Sequence, residues 1–163
     1  CECSTLNTLS EAGEAINAIA ELIHSDTVKG RIKFTQELGN ATIITGTITG
    51  VKPGEHGFHI HEFGDLSGGC DTAGAHYNPD NVDHGDLEEG HVGDLGNVVA
   101  DDDGVVTLNI SATRVDLSGD RSVVGRSIVI HSDRDDLGLG GDAESIKTGN
   151  SGERLACGGI VLS

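Results

Sequence analysis

Residues 57–65 read Gly57-Phe58-His59-Ile60-His61-Glu62-Phe63-Gly64-Asp65. In an extended strand alternate side chains share a face. His59 and His61 therefore point together, and Phe58 and Ile60 turn the other way, into a core. Two imidazoles are thus set side by side on the outer face of a sheet. Surface strands carry such His-x-His pairs by accident, but this one opens an ordered series. His76, His84, His91, Asp94 and His131 follow it, so six of the eight histidines fall between residues 59 and 131. Imidazole nitrogen is the usual ligand of zinc and copper, and one carboxylate suits either ion. Seven donors are too many for one four-coordinate ion, so the pattern predicts a site for two metals. His24 and His56 fall outside the series and read as structural.

Working outward, the flanking segments read mostly as strands. Ile32-Lys33-Phe34-Thr35 alternates apolar and polar, as a half-buried strand does. Ala41 to Val51 is rich in Thr and Ile and closes on the turn Lys52-Pro53-Gly54. Val106, Leu108 and Ile110 alternate with Thr107, Asn109 and Ser111, and Ser127–His131 and Leu155–Leu162 are apolar runs of strand length. Short strands with glycine-rich turns predict an all-β sandwich or barrel. One segment pulls the other way. Ser10 to Ile23 is rich in Ala, Glu and Leu, which favour helix, with Ser10 as a possible cap. Within it, Ala15 to His24 is read as the first strand. Asp65–Asp94 and Ser132–Arg154 are polar, glycine-rich and too long for idle loops, which marks them as functional.

Composition narrows the partners. A chain of 163 residues is one ordinary domain with room for a core. Ten basic against 27 acidic residues give a formal charge of −17, which disfavours nucleic acid and anionic membrane surfaces. No run of 18 apolar residues is present, so no transmembrane helix is expected. With three Phe, one Tyr and no Trp, the core must be aliphatic.

Several longer motifs then carry a family resemblance: residues 57–65 above, Gly74-Ala75-His76-Tyr77-Asn78-Pro79, His91-Val92-Gly93-Asp94-Leu95-Gly96-Asn97, Gly125-Arg126 with His131, Asp135-Asp136-Leu137-Gly138, and Lys147-Thr148-Gly149-Asn150 with Arg154-Leu155-Ala156-Cys157-Gly158. From about Val28 onward the chain resembles the copper/zinc superoxide dismutases. The resemblance implies an eight-stranded Greek-key β barrel with two long functional loops. It implies copper on His59, His61, His76 and His131, and zinc on His76, His84, His91 and Asp94, with His76 shared. Asp135 is implied as the carboxylate behind His59 and His84, Arg154 and His76 as catalytic residues, and Arg154 and Lys147 as guides for a small anion. Cys70 and Cys157 are implied as a disulfide. Phe63, Gly64, Val124, Gly125 and Leu162 match the family's homodimer interface. The expected activity is dismutation of superoxide to oxygen and hydrogen peroxide. Two departures stand out: the loop between His84 and His91 is two residues short, and Leu139 and Ala143 replace a lysine and a glutamate.

Residues 1–14 are read as a tail carrying Cys1 and Cys3, ahead of a domain over 15–163. The start on Cys is what a processed chain would show, and what a trimmed one would show as well. The extra cysteines and the sequons Asn40-Ala41-Thr42 and Asn109-Ile110-Ser111 lean towards a secreted protein, with a cytoplasmic one as the alternative. Two other classes compete with the enzyme: a copper chaperone or store, kept open by Cys1-Glu2-Cys3, and a non-catalytic structural protein on the same fold. The complete copper set with Arg154 favours the enzyme over both.

Overall fold

The computed structural model describes residues 14–163. Cys1, Cys3 and the possible cap Ser10 lie outside them. Nine strands are present among the described residues: β1 (Ile16–Glu21), β2 (Lys29–Gln36), β3 (Thr42–Thr49), β4 (Gly54–His61), β5 (Asp94–Ala100), β6 (Val106–Ala112), β7 (Ser127–His131), β8 (Arg154–Gly159) and β9 (Val161–Leu162). A 3-10 turn at Gly69–Ala73 and one helical turn, α1 (Ser145–Thr148), complete the elements.

The strands form one antiparallel sheet in the order β8-β7-β4-β5-β6-β3-β2-β1-β9. β8 and β9 stand at opposite ends of that order yet are separated only by Ile160, so the sheet closes on itself. β9 pairs with β1, and Ile23 and Cys157 exchange backbone hydrogen bonds at the seam. Counted as one broken strand, β8 and β9 give the expected eight-stranded barrel. Closure at this seam covers the sheet's two end strands, although β5 and β6 pair only at Ala100 and Val106.

The helix-favouring first segment is a strand over Ile16–Glu21, inside the span read as one. Ala18 and Ala20 alternate inward and are buried, and β2 pairs along its whole length. Pairing on both sides outweighs the few tenths of a kcal/mol by which alanine prefers helix. β5 was not foreseen as a strand. Its polar start at Asp94 serves the metal centre, while Leu95, Val98 and Ala100 enter the core.

The barrel interior is aliphatic, with Phe34 and Phe58 its only fully buried aromatic rings among the described residues. Directly paired strand residues share a face. Phe58 pairs with Ile130 and Ile60 with Ile128, and all four belong to the interior. His59 pairs with Val129, which belongs instead to a second small cluster with Cys70, Ala73 and Cys157 outside the barrel wall. The histidines thus lie on the outer face, as the alternation implies, but that face is not open: residues 56–61 are all buried. The segments 62–93 and 132–153 cover it.

Candidate metal centre

Two groups of side chains offer donor atoms within 4.8 Å of one another: His59, His61, His76 and His131, and His59, His76, His84 and Asp94. His59 and His76 belong to both. β4 supplies His59 and His61, β7 ends on His131, and β5 begins with Asp94. His76, His84 and His91 come from the covering loop. His91 adjoins the second group, with its Nδ1 at 3.3 Å from both His76 Nδ1 and Asp94 Oδ1. All seven residues of the series are therefore gathered in one place.

Five of the six rings are held through one nitrogen, which turns the other inward. His59 Nε2 donates to Asp135 Oδ2 at 2.7 Å, and His84 Nε2 to Asp135 Oδ1 at 2.7 Å. His61 Nδ1 donates to the Gly74 carbonyl at 2.9 Å, and His131 Nδ1 lies 3.4 Å from the Gly152 carbonyl. His76 Nδ1 is 2.9 Å from Asp94 Oδ1. The opposite atoms His59 Nδ1, His76 Nε2 and His84 Nδ1 are then buried with no hydrogen-bond partner. His84 Nδ1 does lie 2.8 Å from Asp94 Oδ2, but not along a hydrogen-bond direction. His61 Nε2 and His131 Nε2 face each other at 3.3 Å. With the Nδ1 protons committed to carbonyls, this is an approach of two lone pairs. Orphaned buried polar atoms are costly and rare. Here they cluster, and two bound cations would satisfy them between them. The residues fit the two metals.

The electrostatics agree. Burial, reinforced by His59, pulls His76 down to about 3. Burial likewise pulls His131 down to about 2 and His61 well below 6.5, with neighbouring imidazoles adding to it. Neutral imidazole is the form that ligates. In the metal-free protein His84 behaves oppositely. Burial works against its charge, but hydrogen bonding to Asp135 and the Asp94 carboxylate beside it lift it to about 9. Both carboxylates sit far below their usual range. Their own burial opposes this, and it is outweighed by His76, His84 and His91 around Asp94 and by His59 and His84 around Asp135.

Close approaches hold the loops down. Ile60 donates to the Gly93 carbonyl at 2.8 Å, and a Cβ on Gly93 would lie 2.1 Å from Ile60 O. Only glycine lets the loop touch β4 there. Gly149 has φ +71°, and a Cβ on it would lie 1.9 Å from Asp135 Oδ1. Asn97 grips the Asp135 backbone from both sides, with Nδ2 2.9 Å from its carbonyl and Oδ1 2.7 Å from its N–H. Asn97 stands in a motif quoted above, but nothing in the sequence showed this role.

The Cys70–Cys157 disulfide is formed, with Cα atoms 5.7 Å apart. It ties the first loop to β8. Arg154 Nη1 donates to the Cys70 carbonyl at 2.9 Å, which holds the guanidinium at a cleft of about 1030 Å³ above His61, His76 and His131. Burial lowers Arg154 from its usual 12.5, but guanidinium remains charged at any working pH. Lys147 lines the same cleft, and so do the acidic Glu144 and Asp83. Leu139 and Ala143 are exposed and line none of it. His56 is buried with its ring nitrogens 2.8 and 2.6 Å from the carbonyls of His131 and Lys52, the structural place expected for it.

Fold and site together define a closed β barrel with a buried two-metal centre on its outer wall. The family model of the copper/zinc superoxide dismutases (SODC) matches residues 28–160. The copper–zinc superoxide dismutase of Onchocerca volvulus is 51% identical over 152 residues, covering 90% of this chain and 96% of that protein. A crystal structure of the clock protein EA4 superposes with a TM-score of 0.87 at 45% identity, covering 90% of this chain and 94% of the other. The chain belongs to the copper/zinc superoxide dismutase family, whose members are oxidoreductases. Its cofactors are copper and zinc, and the two donor groups accommodate them.

Proposed function

We propose that the protein dismutates superoxide, with copper held by His59, His61, His76 and His131 and a structural zinc held by His76, His84, His91 and Asp94. The observation that carries this reading is the trio of partnerless buried nitrogens on His59, His76 and His84. His76 can face both ions, since its Nδ1 lies towards Asp94 and its Nε2 is free. Three imidazoles and one carboxylate make a closed tetrahedral set, the kind that binds zinc structurally. Bound copper supplies one-electron chemistry, so that one superoxide leaves as oxygen and the next as peroxide. Everything else falls to the chain. Arg154 and Lys147 draw the anion into the cleft. The disulfide-linked Cys70 carbonyl aims Arg154. His76 Nε2, whenever no ion occupied it, would be the ring nitrogen placed to hold a proton for the reduced anion. Asp135 keeps His59 and His84 in the tautomers that leave Nδ1 free, as carboxylates behind metal-bound histidines do.

The test is the dismutation rate on a sample whose copper and zinc are quantified together. The expected result is near one of each per chain with fast turnover. Full metal with negligible turnover would refute catalysis and favour a structural or storage role. Arg154→Ala should lower the rate about 10-fold or more and flatten its salt dependence, with metal content unchanged. An unaltered rate would remove Arg154 from guidance.

We further propose a homodimer through Phe63, Gly64, Val124, Gly125 and Leu162. Phe63 and Leu162 are 50% and 63% exposed, large for apolar side chains, and Ile23 and Val161 add to the exposed apolar surface. Gly64 lies against the Gly125 carbonyl, which joins the two segments into one surface. Sedimentation should give twice the chain mass, and Phe63→Glu should halve it. We also propose that residues 15–163 are the enzyme and 1–14 an appended tail, so that removing the tail leaves rate and metal content unchanged. We propose secretion over a cytoplasmic location, supported by the tail cysteines and by the exposed Asn40 and Asn109. A glycosidase-sensitive mass on protein from its native source is the check, and an unmodified cytoplasmic protein would overturn it.

A further inference from the structure

The shortened loop between His84 and His91 is held by a residue outside every motif described above. Arg114 lies in the turn after β6, half-buried. Its Nη1 donates to the Glu88 carbonyl at 2.8 Å, and its Nη2 donates to the Gly90 carbonyl. The second contact is the informative one. The Gly90 carbonyl and the His91 N–H belong to the same planar peptide group. That N–H donates to Asp94 Oδ2 at 2.7 Å. The peptide is therefore gripped on both edges, by a guanidinium on one side and a buried carboxylate on the other. Gly90 has no room to be anything else, since a Cβ would lie 2.5 Å from Asp94 Oδ2 and 2.6 Å from Gly85 N. Gly85 N also donates to Asp94 Oδ2, at 3.2 Å. The whole turn is thus wound around one carboxylate oxygen and strapped from outside by Arg114. A planar fork with several donors suits two carbonyls at once, which a lysine ammonium cannot match.

We propose that Arg114 is a positioning residue for the zinc set. By fixing the Gly90–His91 peptide it sets both the His91 ring and the Asp94 carboxylate, although it touches neither metal. This inference rests on the zinc assignment above. The experiment titrates zinc, against a chromophoric chelator, into the metal-free full chain of the parent, Arg114→Ala and Arg114→Lys. Thermal unfolding of each metal-free protein and copper uptake are followed in parallel. We expect Arg114→Ala to bind zinc about 10–100-fold more weakly, the range for residues supporting a ligand. Copper uptake and the metal-free Tm should be unchanged, and Arg114→Lys should recover only part of the loss. Zinc binding within threefold of the parent overturns the proposal. So does a fall in metal-free Tm with parallel loss of both metals, which would make Arg114 a general stabiliser. A parent that takes up no zinc overturns the metal assignment itself.

Discussion

Reducing the Cys70–Cys157 bond should have a cost that can be worked from its place in the chain. The cystines are 87 residues apart in sequence, so the bond closes a long loop in the unfolded chain. The chain-entropy relation gives about 4.6 kcal/mol for a loop of that size at 25 °C. For a domain this large each kcal/mol moves Tm by roughly 2–4 °C, so the expected fall is about 9–18 °C. The assay is calorimetry of the metal-free protein, oxidised against reduced, because bound metal would add its own stabilisation to the folded state. Reduction removes no atoms, so it isolates the cross-link. A Cys70→Ala/Cys157→Ala variant should melt lower still, because both sulfurs are packed with Ala73 and Val129 outside the barrel wall. A second readout follows from Arg154, whose partner is the Cys70 carbonyl. Remetallated reduced protein should lose part of its rate with copper still bound. A shift below about 2 °C would refute the loop-closure argument. Unaltered activity would show that the first loop keeps Arg154 in place without the bond.

Asp135→Ala removes the acceptor of both His59 and His84, so copper and zinc affinity should each fall about 10–100-fold, measured by chelator competition. Retention of both metals at parent affinity would show that the rings are oriented by other contacts. The metal-free protein should also lose stability in mild acid. His61, His76 and His131 are held below 6.5 by burial, so the neutral rings stabilise the fold fully above 6.5 and less as the pH falls towards about 3. Asp94 and Asp135, depressed from 3.8, add their loss only below about pH 4. His84 has the opposite sign: raised to about 9, it contributes fully below 6.5 and its contribution is lost as the pH rises through 9. Tm against pH should therefore fall from about 6.5 downward and again above about 7. A flat profile between pH 4 and 6.5 would contradict the buried neutral histidines.

The site was more legible than the fold that carries it. Metal donors are chemically conspicuous, and six histidines with one aspartate mark the centre before any geometry is known. The two long loops were legible because nothing in them alternates, and their ends at Asp94 and Arg154 are where β5 and β8 begin. β1 was ambiguous because its inward residues Ala18 and Ala20 carry only methyl groups, too small to mark an apolar two-residue period, so its pairing rather than its composition decides it. β5 was hidden because its first residues serve the metal centre and its glycine breaks the apolar run. Asp135 came through the resemblance alone, since one aspartate in an acidic stretch has no signature of its own. Asn97 and Arg114 were beyond reach for a plainer reason. Both act on backbone groups of distant segments, and a backbone partner leaves no trace in side-chain identity.

The seam between β1 and the last strand has a consequence for how the chain comes to its native form. The barrel's opening and closing staves are the earliest and latest described strands to leave a ribosome. Every donor of the metal centre, from residue 59 to 131, is synthesised before the clasp at Cys157 and Val161 exists. During synthesis the cylinder stands open along one side, with β1 lacking its second neighbour. Ring closure can come only at the end of synthesis, and it joins the described segments that lie farthest apart in sequence, the kind of contact associated with slow folding.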